Sequence, residues 1–357
     1  MRPLPDLITD PVYEKPLNWT MYQKFWLKRI HDKRDLPFVR LLTIVHLSIL
    51  PVAILLFTPV FGNWWWPVAI VYFYFSQFYF KGSFGLMLHC LCHRKFFKKD
   101  KLMGRYLFWC ICPLFGHLGD SYHVHHMGMH HVENNMPEDA SCTMGYNRDS
   151  FSDFISYWLR FMFLGFHDTF VYFFRRKRKK MYRKVTVSEV GFMVIVTGLC
   201  FLNLKATLMV LVIPFIFARF VMMLGNWTQH AFVDPVDPDN DFASNIICLN
   251  TSYNHKCWND GYHAVHHIRP GAHYTELPVI FKQMLPSFKE NRTFIFEKIH
   301  YLHIFTYLMF KQYDKLASYV VNVESFSDKD DAIALLKRRT KKFDLKAFAE
   351  KNSFDRN

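Results

Sequence analysis

The chain has 357 residues, of which 51% are hydrophobic, and a formal net charge of +14. This length would allow two average soluble domains, but the apolar residues are concentrated in long uncharged runs, which favour one membrane-embedded unit. The basic residues lie beside those runs without any nucleic-acid motif, which disfavours a nucleic-acid partner, and the eight cysteines contain no CxxC pair of the kind that binds zinc.

Residues 1–40 are polar and charged, and they predict a cytosolic N-terminal segment without a cleavable signal peptide. One stretch in this segment is amphipathic, with Tyr22 and Trp26 set against Lys24 and Lys28. Such a stretch is typical of a helix that lies on a membrane surface and equally of an ordinary packed helix.

Two long apolar blocks predict four membrane spans. Residues 41–80 contain no Asp, Glu, Lys or Arg, and the charged residues of 190–225 are Lys205 and Arg219 alone. The first block is long enough for two helices of about 20 residues, and the second for two shorter ones. We expect Lys205 at the turn between the second two, and Arg219 close enough to the far end to extend its charge to the interface. The predicted spans are 41–58, 64–80, 187–203 and 206–225.

Basic runs at 94–101 and 175–184 flank these span pairs. The positive-inside rule places both runs in the cytosol, where they can also meet anionic lipid headgroups. Both chain termini are therefore predicted to be cytosolic. Residues 276–357 are mixed and charged, and they predict a cytosolic C-terminal helical segment that ends in a lysine-rich polar tail.

Two further apolar stretches, 105–118 and 152–174, are predicted to be interfacial helices rather than spans. Histidine clusters that form one site must lie on one side of the membrane, so an even number of crossings must separate them. A span at either stretch would break that parity. Asp153, Arg160 and Asp168 would also cost roughly 2.5–3.5 kcal/mol each at the centre of a bilayer.

The histidines are the strongest functional signal, because they cluster just beyond the apolar runs. Residues four apart share one helix face, so each cluster can present several imidazoles in one direction. Neutral imidazoles suit zinc, copper, iron or nickel, and a structural zinc needs only four ligands. The nine clustered histidines exceed this number and indicate two metal ions. Coordination chemistry alone leaves the identity of the metal open. The candidate ligands are His89, His93, His126, His130, His131, Asn226, His230, His263, His266 and His267.

These clusters resemble the three histidine boxes of the membrane fatty-acid desaturase/hydroxylase superfamily. The first box reads HxxxH and the third HxxHH, while the NxxxH pair Asn226/His230 looks like the additional ligand pair of stearoyl-CoA-desaturase-type enzymes. The middle box reads HxxxHH instead of HxxHH. For that reason His123 or His125 could replace His126 as the partner of the two histidines that follow.

The resemblance covers a membrane desaturase-like domain, 41–275. It implies an all-α integral membrane protein with four transmembrane helices in two pairs, interfacial helices and a cytosolic histidine-rich di-iron cap. It further implies that the ten candidate ligands hold two iron ions (Fe2+/Fe3+), with Asn226 binding more weakly, directly or through water. The carboxylates flanking the boxes are expected to accept hydrogen bonds from ligand imidazoles. They are Asp120, Glu133, Asp260 and Glu276.

The function implied by the resemblance is an O2-dependent desaturase acting on a lipid acyl chain. A hydroxylase on the same scaffold is the first alternative, because hydroxyl rebound and a second hydrogen abstraction compete. A histidine-rich metal transporter is the second, although transport would favour ionisable residues inside the spans. No haem-binding HPGG motif is present, so electrons are expected from a separate donor such as cytochrome b5. In a eukaryote, the expected location is the endoplasmic reticulum.

Overall fold

The computed structural model describes residues 1–98, 101–345 and 348. The described chain is mostly helical, as predicted, and it divides into two compact units. The first unit comprises Met1–Val12, Met129–Asp168 and Val221–Asn357, and the second unit comprises Tyr13–Gly128 and Thr169–Phe220. The organisation into segments 1–40, 41–275 and 276–357 stays a prediction.

The second unit consists mainly of helices interrupted by short 3-10 and π-helical turns. Its α-helices are Met21–Leu27, Leu36–Leu47, Ile49–Leu55, Trp65–Tyr74, Lys81–His93, Lys101–Tyr106, Gly119–His125 and Lys179–Thr207. Its 3-10 turns are Lys33–Asp35, Pro59–Trp64 and Cys112–Phe115, and its π-helical turns are Phe75–Tyr79, Leu107–Ile111 and Leu208–Val212. Three helical segments run in sequence from one unit into the other: His126–His130, which is π-helical, Phe151–Arg175 and Ile213–Gln229.

The amphipathic stretch near the N-terminus forms the helix Met21–Leu27. A capping box between Thr20 and Gln23 starts this helix, and none of its residues is buried. Met21 is 88% exposed and Phe25 is 49% exposed. Gln23, Trp26 and Leu27 are half-buried and lie on one face of the helix, and its position on a membrane surface stays a prediction.

The first predicted span pair contains a helix, Lys33–Leu55, that is long and apolar enough to cross a membrane. The helix is irregular at Ser48 (φ −120°, ψ −64°), three residues before Pro51, which has no backbone N–H to continue the hydrogen-bond ladder. The predicted turn follows at Pro59–Trp64, where Gly62 has a φ of +46°. The indole N–H of Trp65 then donates to the Leu56 carbonyl at 2.8 Å and closes the turn.

The second candidate span, Lys179–Gln229, is a helical hairpin. Asn203 is non-helical (φ −157°, ψ 92°), and the rings of Phe192 and Phe215 stack with centroids 5.0 Å apart. In a straight helix these rings would be about 35 Å apart along the axis, so the chain reverses near Asn203, two residues before Lys205. This position agrees with the predicted turn.

Arg219 pairs with an acidic side chain that the sequence pattern does not indicate. Its Nη2 lies 2.7 and 2.8 Å from the two carboxylate oxygens of Glu189, on the opposite arm of the hairpin. Whether Arg219 also extends to the membrane interface stays a prediction. A guanidinium close to apolar surroundings loses hydration, and the carboxylate of Glu189 compensates for part of that loss.

Among the described residues, two helices have the length and composition of a membrane span, which is consistent with a membrane protein. This count does not confirm four spans. The predicted span 64–80 corresponds to the helix Trp65–Tyr74 and the π-turn Phe75–Tyr79, which are not part of either of these two helices. The four-span topology with cytosolic termini stays a prediction. The stretch 152–174 forms Phe151–Arg175, which is not counted as a span either.

The first unit combines short helices with four short strands, which the all-α prediction did not include. Its α-helices are His131–Glu133, Asp241–Ser244, Ser252–Lys256, His263–Ile268, Leu277–Gln283, Leu285–Glu290, Tyr301–Met309, Tyr313–Ala317 and Lys329–Arg339. Arg2–Pro3 pairs in parallel with Val321–Asn322, and Ile247–Leu249 pairs in parallel with Ile295–Glu297. Residues 276–339 are largely helical, as expected, while much of the predicted polar tail lies outside the described residues.

The strand Ile247–Leu249 separates two hydrophobic clusters of the first unit. Ile247 and Leu249 pack in one cluster with Tyr262 and Val265, while Cys248 packs in the other. Successive side chains of a strand point to opposite faces, so this three-residue strand packs against both clusters. Tyr262 and Val265 belong to the segment that carries the third histidine box, and its backbone is therefore held by the core.

Candidate metal centre

The third histidine box lies on the helix His263–Ile268, which begins after Tyr262. The Tyr262 hydroxyl donates to Asp10 Oδ2 at 2.7 Å, and the backbone N–H of Asn250 donates to the same oxygen at 2.8 Å. Asp10 is buried. The N-terminal residues of the first unit therefore anchor the start of this helix, a contact over 252 residues that no local sequence pattern could indicate.

Four buried histidines of the first unit converge on one point. One ring nitrogen from each of His130, His230, His263 and His267 lies within 4.8 Å of all the others, and the Nε2 atoms of His230 and His263 are 3.2 Å apart. A metal ion with nitrogen ligands at about 2.0–2.1 Å places neighbouring ligand nitrogens about 3 Å apart. The four imidazoles therefore fit one metal ion.

Two of these histidines have a carboxylate on the ring nitrogen that faces away from the cluster. His130 Nδ1 donates to the buried Asp139 Oδ2 at 2.7 Å, and His267 Nδ1 lies 3.5 Å from Asp241 Oδ1. The other ring nitrogen of His267, Nε2, is buried without a hydrogen-bond partner among the described residues. An imidazole held by a carboxylate on one nitrogen and open on the other is the usual arrangement of a metal ligand.

The environment also holds imidazoles in the uncharged form that binds metal. Burial lowers the pKa of His230 well below its usual range, and the neighbouring His130 lowers it further. Burial likewise lowers the pKa of His267, and the imidazoles of His263 and His131 add to this effect. Both side chains are therefore neutral at physiological pH, as ligation requires.

The two remaining box histidines of the first unit, His131 and His266, face each other. Their Nε2 atoms are 3.1 Å apart and their ring centroids 4.9 Å apart. The ring of His131 also lies 4.8 Å from that of His267. Every box histidine of the first unit thus lies in contact with another one.

The second unit brings three predicted ligands together. His89 and His93 lie on the helix Lys81–His93, where their spacing of four places them on one face. The Nε2 atoms of His93 and His126 are 2.8 Å apart, and the ring centroids of His89 and His126 are 4.5 Å apart. Tyr122 stacks on the His126 ring with an interplanar angle of 2°.

A π-helical turn, His126–His130, carries the irregular middle box. A π-turn uses one more residue than an α-turn before the chain returns to the same direction. An HxxxHH sequence that contains a π-turn therefore directs its histidines as HxxHH does in an α-helix. Among the described residues, His123 and His125 belong to neither group of ring nitrogens close enough to share a metal.

Asn226 precedes His230 by one helical turn, at the end of the helix Ile213–Gln229. Its side-chain Nδ2 donates to the Ser141 carbonyl at 2.9 Å and to the Tyr157 hydroxyl at 2.8 Å. The side-chain oxygen is therefore the atom of Asn226 that can act as a ligand.

Two of the four flanking carboxylates expected to support the ligands contact residues outside the boxes. Asp120 accepts from the Trp109 indole at 3.0 Å and pairs with Lys184 at 2.8 Å, and Asp260 accepts from the Tyr253 hydroxyl at 2.7 Å. Asp139 and Asp241, which lie beside His130 and His267, were not among the four predicted. No spacing rule singles them out, because turns separate Asp139 from His130, and two short helices and a strand separate Asp241 from His267.

Comparisons with known proteins give one match. The family model described as fatty acid desaturase matches residues 63–298, about two thirds of the chain. Neither the curated proteins nor the solved structures gave a match. The matched residues include all ten predicted ligands.

Proposed function

The chain belongs to the fatty acid desaturase family, and we propose that within this family it is an O2-dependent desaturase that introduces a carbon–carbon double bond into a lipid acyl chain. Membership makes it an oxidoreductase of lipid oxidation, of the desaturase or hydroxylase type. The observation that carries the proposal is the convergence of four buried imidazoles, His130, His230, His263 and His267, within 4.8 Å of one another.

Iron is the metal that we assign to these ligands, with two ions per chain. Imidazole nitrogens suit iron as well as zinc or copper, and the oxidation of an unactivated C–H bond needs a redox-active metal. Iron bound in this way supplies, with O2 and electrons, the power to remove hydrogen from the acyl chain. The remaining proposed ligands are those implied by the histidine boxes, His89, His93, His126, His131, His266 and, more weakly, Asn226.

The residues of the chain contribute ligand charge state and orientation. Burial keeps His230 and His267 neutral, and the Asp139 carboxylate fixes the tautomer of His130 by accepting from its Nδ1. Because the cluster is buried, water has little access to it, which protects a strong oxidant from side reactions.

The proposed electron donor is a separate protein of the cytochrome b5 type. The basic run at 175–184 supports this, because a positive surface favours association with an acidic partner. The same run also suits anionic lipid headgroups. We further propose an endoplasmic reticulum location, with the catalytic residues on the cytosolic side where such a donor would reach them.

Reconstitution tests the proposal. Purified protein in lipid vesicles is supplied with O2, a reductase, cytochrome b5 and candidate acyl lipids, and the lipid products are identified by mass spectrometry. We expect two irons per chain and a product that has lost two hydrogens. A product that has gained one oxygen would identify a hydroxylase instead, and one zinc with no iron would contradict the proposal. His267→Ala is the matched inactive control, and it should still insert into membranes.

A further inference from the structure

The side-chain amide of Asn226 can bind a cation in only one of its two orientations. The carbonyl oxygen attracts a metal ion, whereas the NH2 group carries partial positive charge and no accessible lone pair. Rotation by 180° exchanges the two with little change in shape. Whether Asn226 can act as a ligand therefore depends on the groups that hold its amide.

Hydrogen-bond donors and acceptors around Asn226 determine this orientation. The Ser141 carbonyl can only accept, and the Tyr157 hydroxyl donates to it at 3.0 Å. The Tyr157 oxygen must then act as acceptor toward Asn226, whose Nδ2 lies 2.8 Å away, and the same Nδ2 also donates to the Ser141 carbonyl at 2.9 Å. Nδ2 thus faces two acceptors, and Oδ1 is directed away from Ser141 and Tyr157.

Packing prevents the Tyr157 hydroxyl from following a rotated amide. The tyrosine is 2% exposed, with its ring 5.5 Å from that of Tyr146 and 5.1 Å from that of Trp227. Trp227 is itself fully buried, and its indole N–H donates to the Arg148 carbonyl at 3.2 Å. The position of the hydroxyl oxygen is therefore fixed, and its donation to the Ser141 carbonyl leaves it to accept from Asn226.

The turn that contains Asp139 and Ser141 also supports a histidine of the candidate metal centre. Asp139 Oδ1 accepts from the backbone N–H and the hydroxyl of Ser141 at 2.8 and 2.7 Å, while its Oδ2 accepts from His130 Nδ1 at 2.7 Å. One side of the turn thus orients His130, and its Ser141 carbonyl, together with Tyr157, orients Asn226.

We propose that Tyr157 is a positioning residue that presents the carbonyl oxygen of Asn226 to the metal. The proposal rests on the proposed function, in which Asn226 is an iron ligand. Without the hydroxyl, the Asn226 NH2 group keeps only the Ser141 carbonyl as an acceptor, so orientations that turn NH2 toward the metal become more populated. Removal of such supporting partners typically weakens metal affinity by about 10–100-fold.

The experiment measures Fe2+ affinity of the metal-free full chain in detergent, under anaerobic conditions, by competition with a chromophoric chelator. Tyr157→Phe keeps the ring and removes only the hydroxyl, and we expect the affinity of the weaker-binding iron to fall by about tenfold or more. Tyr146→Phe removes a hydroxyl from the same aromatic cluster and should leave the affinity within about twofold of the unaltered protein. The absorption spectrum of the Co2+-loaded protein should change with the first variant alone.

A double-mutant cycle separates orientation from general stability. In Asn226→Asp, either carboxylate oxygen can face the metal, so Tyr157→Phe should then have little effect on Fe2+ affinity. If Tyr157→Phe causes equal losses with and without Asn226→Asp, or no loss in either case, the proposal is overturned while the proposed function stays intact. If the unaltered chain binds no Fe2+, the proposed function fails, and this inference fails with it.

Discussion

Arg219 and Glu189 form a buried ion pair between the two arms of the helical hairpin Lys179–Gln229, and Arg219→Met should destabilise the protein strongly. Only 12% of the arginine side chain and 6% of the glutamate side chain are exposed. Glu189 also accepts from the Ser121 hydroxyl at 2.6 Å, so it cannot swing out to water without breaking a second contact. The substitution therefore leaves a buried carboxylate without its cation.

Removal of one partner from a buried ion pair typically costs about 3–5 kcal/mol, whereas replacement of both by apolar residues of similar volume is often neutral or stabilising. We therefore expect the free energy of unfolding to fall by about 3–5 kcal/mol in Arg219→Met and to recover most of that loss when Glu189→Met is added. The lost contact with Ser121 limits the recovery by about 1 kcal/mol.

Urea unfolding in mild detergent, followed by circular dichroism, measures these differences. The matched control is Arg160→Met, because Arg160 and Asp168 are also 2.7 Å apart but the arginine side chain is 47% exposed. An exposed pair contributes about 0–1 kcal/mol. The reasoning is refuted if Arg219→Met costs no more than Arg160→Met, or if the double variant is as unstable as the single one.

The remaining predictions concern metal affinity, pH and topology. Asp139→Asn should weaken Fe2+ binding by about 10–100-fold, because His130 loses its carboxylate acceptor; an unchanged affinity in chelator competition would contradict this. Burial and the neighbouring His303 lower the pKa of His300 to about 4. Folding therefore favours neutral His300, so its contribution to stability is complete above about pH 6.5 and declines as the pH falls toward 4. Urea titrations across that range should show the decline, and His300→Asn should remove this component. Deletion of Met127 converts HxxxHH into HxxHH, and the variant should still bind iron in metal analysis. Loss of iron binding would argue that the π-turn does not restore the directions of an HxxHH box. A glycosylation acceptor engineered near Asn147 should stay unmodified, and glycosylation would contradict the predicted cytosolic position of residues 90–186.

Local features of the fold could be predicted because they depend on neighbouring residues. The spacing of His89 and His93 places two imidazoles on one helix face wherever an α-helix forms, and the structure has such a helix there. The turn expected around residues 58–63 is found at Pro59–Trp64, because proline and glycine restrict or free the backbone by themselves. The reversal near Lys205 was similarly marked by a charge between two apolar runs.

Long-range contacts could not be predicted in the same way. Glu189 and Arg219 are 30 residues apart, and only the hairpin brings their charges together. The strand Ile247–Leu249 pairs with Ile295–Glu297, and runs of three residues are too short for any alternation pattern to identify. Asp139 supports His130 through an irregular turn, whose path depends on hydrogen bonds rather than on periodicity.

The middle histidine box shows why a spacing rule is a statement about directions and not about residue numbers. In an α-helix each residue advances by about 100°, so the histidines of HxxxHH would point at about 0°, 40° and 140°, while those of HxxHH point at about 0°, 300° and 40°. The sequence alone therefore made His126 doubtful. The π-turn His126–His130 absorbs one residue and returns the following histidines to directions close to those of HxxHH. A π-turn has no strong composition signal, since Met127, Gly128 and Met129 are compatible with either helix. The rings of His89 and His93 contact that of His126, which supports the choice of His126, and its role as a ligand stays a prediction.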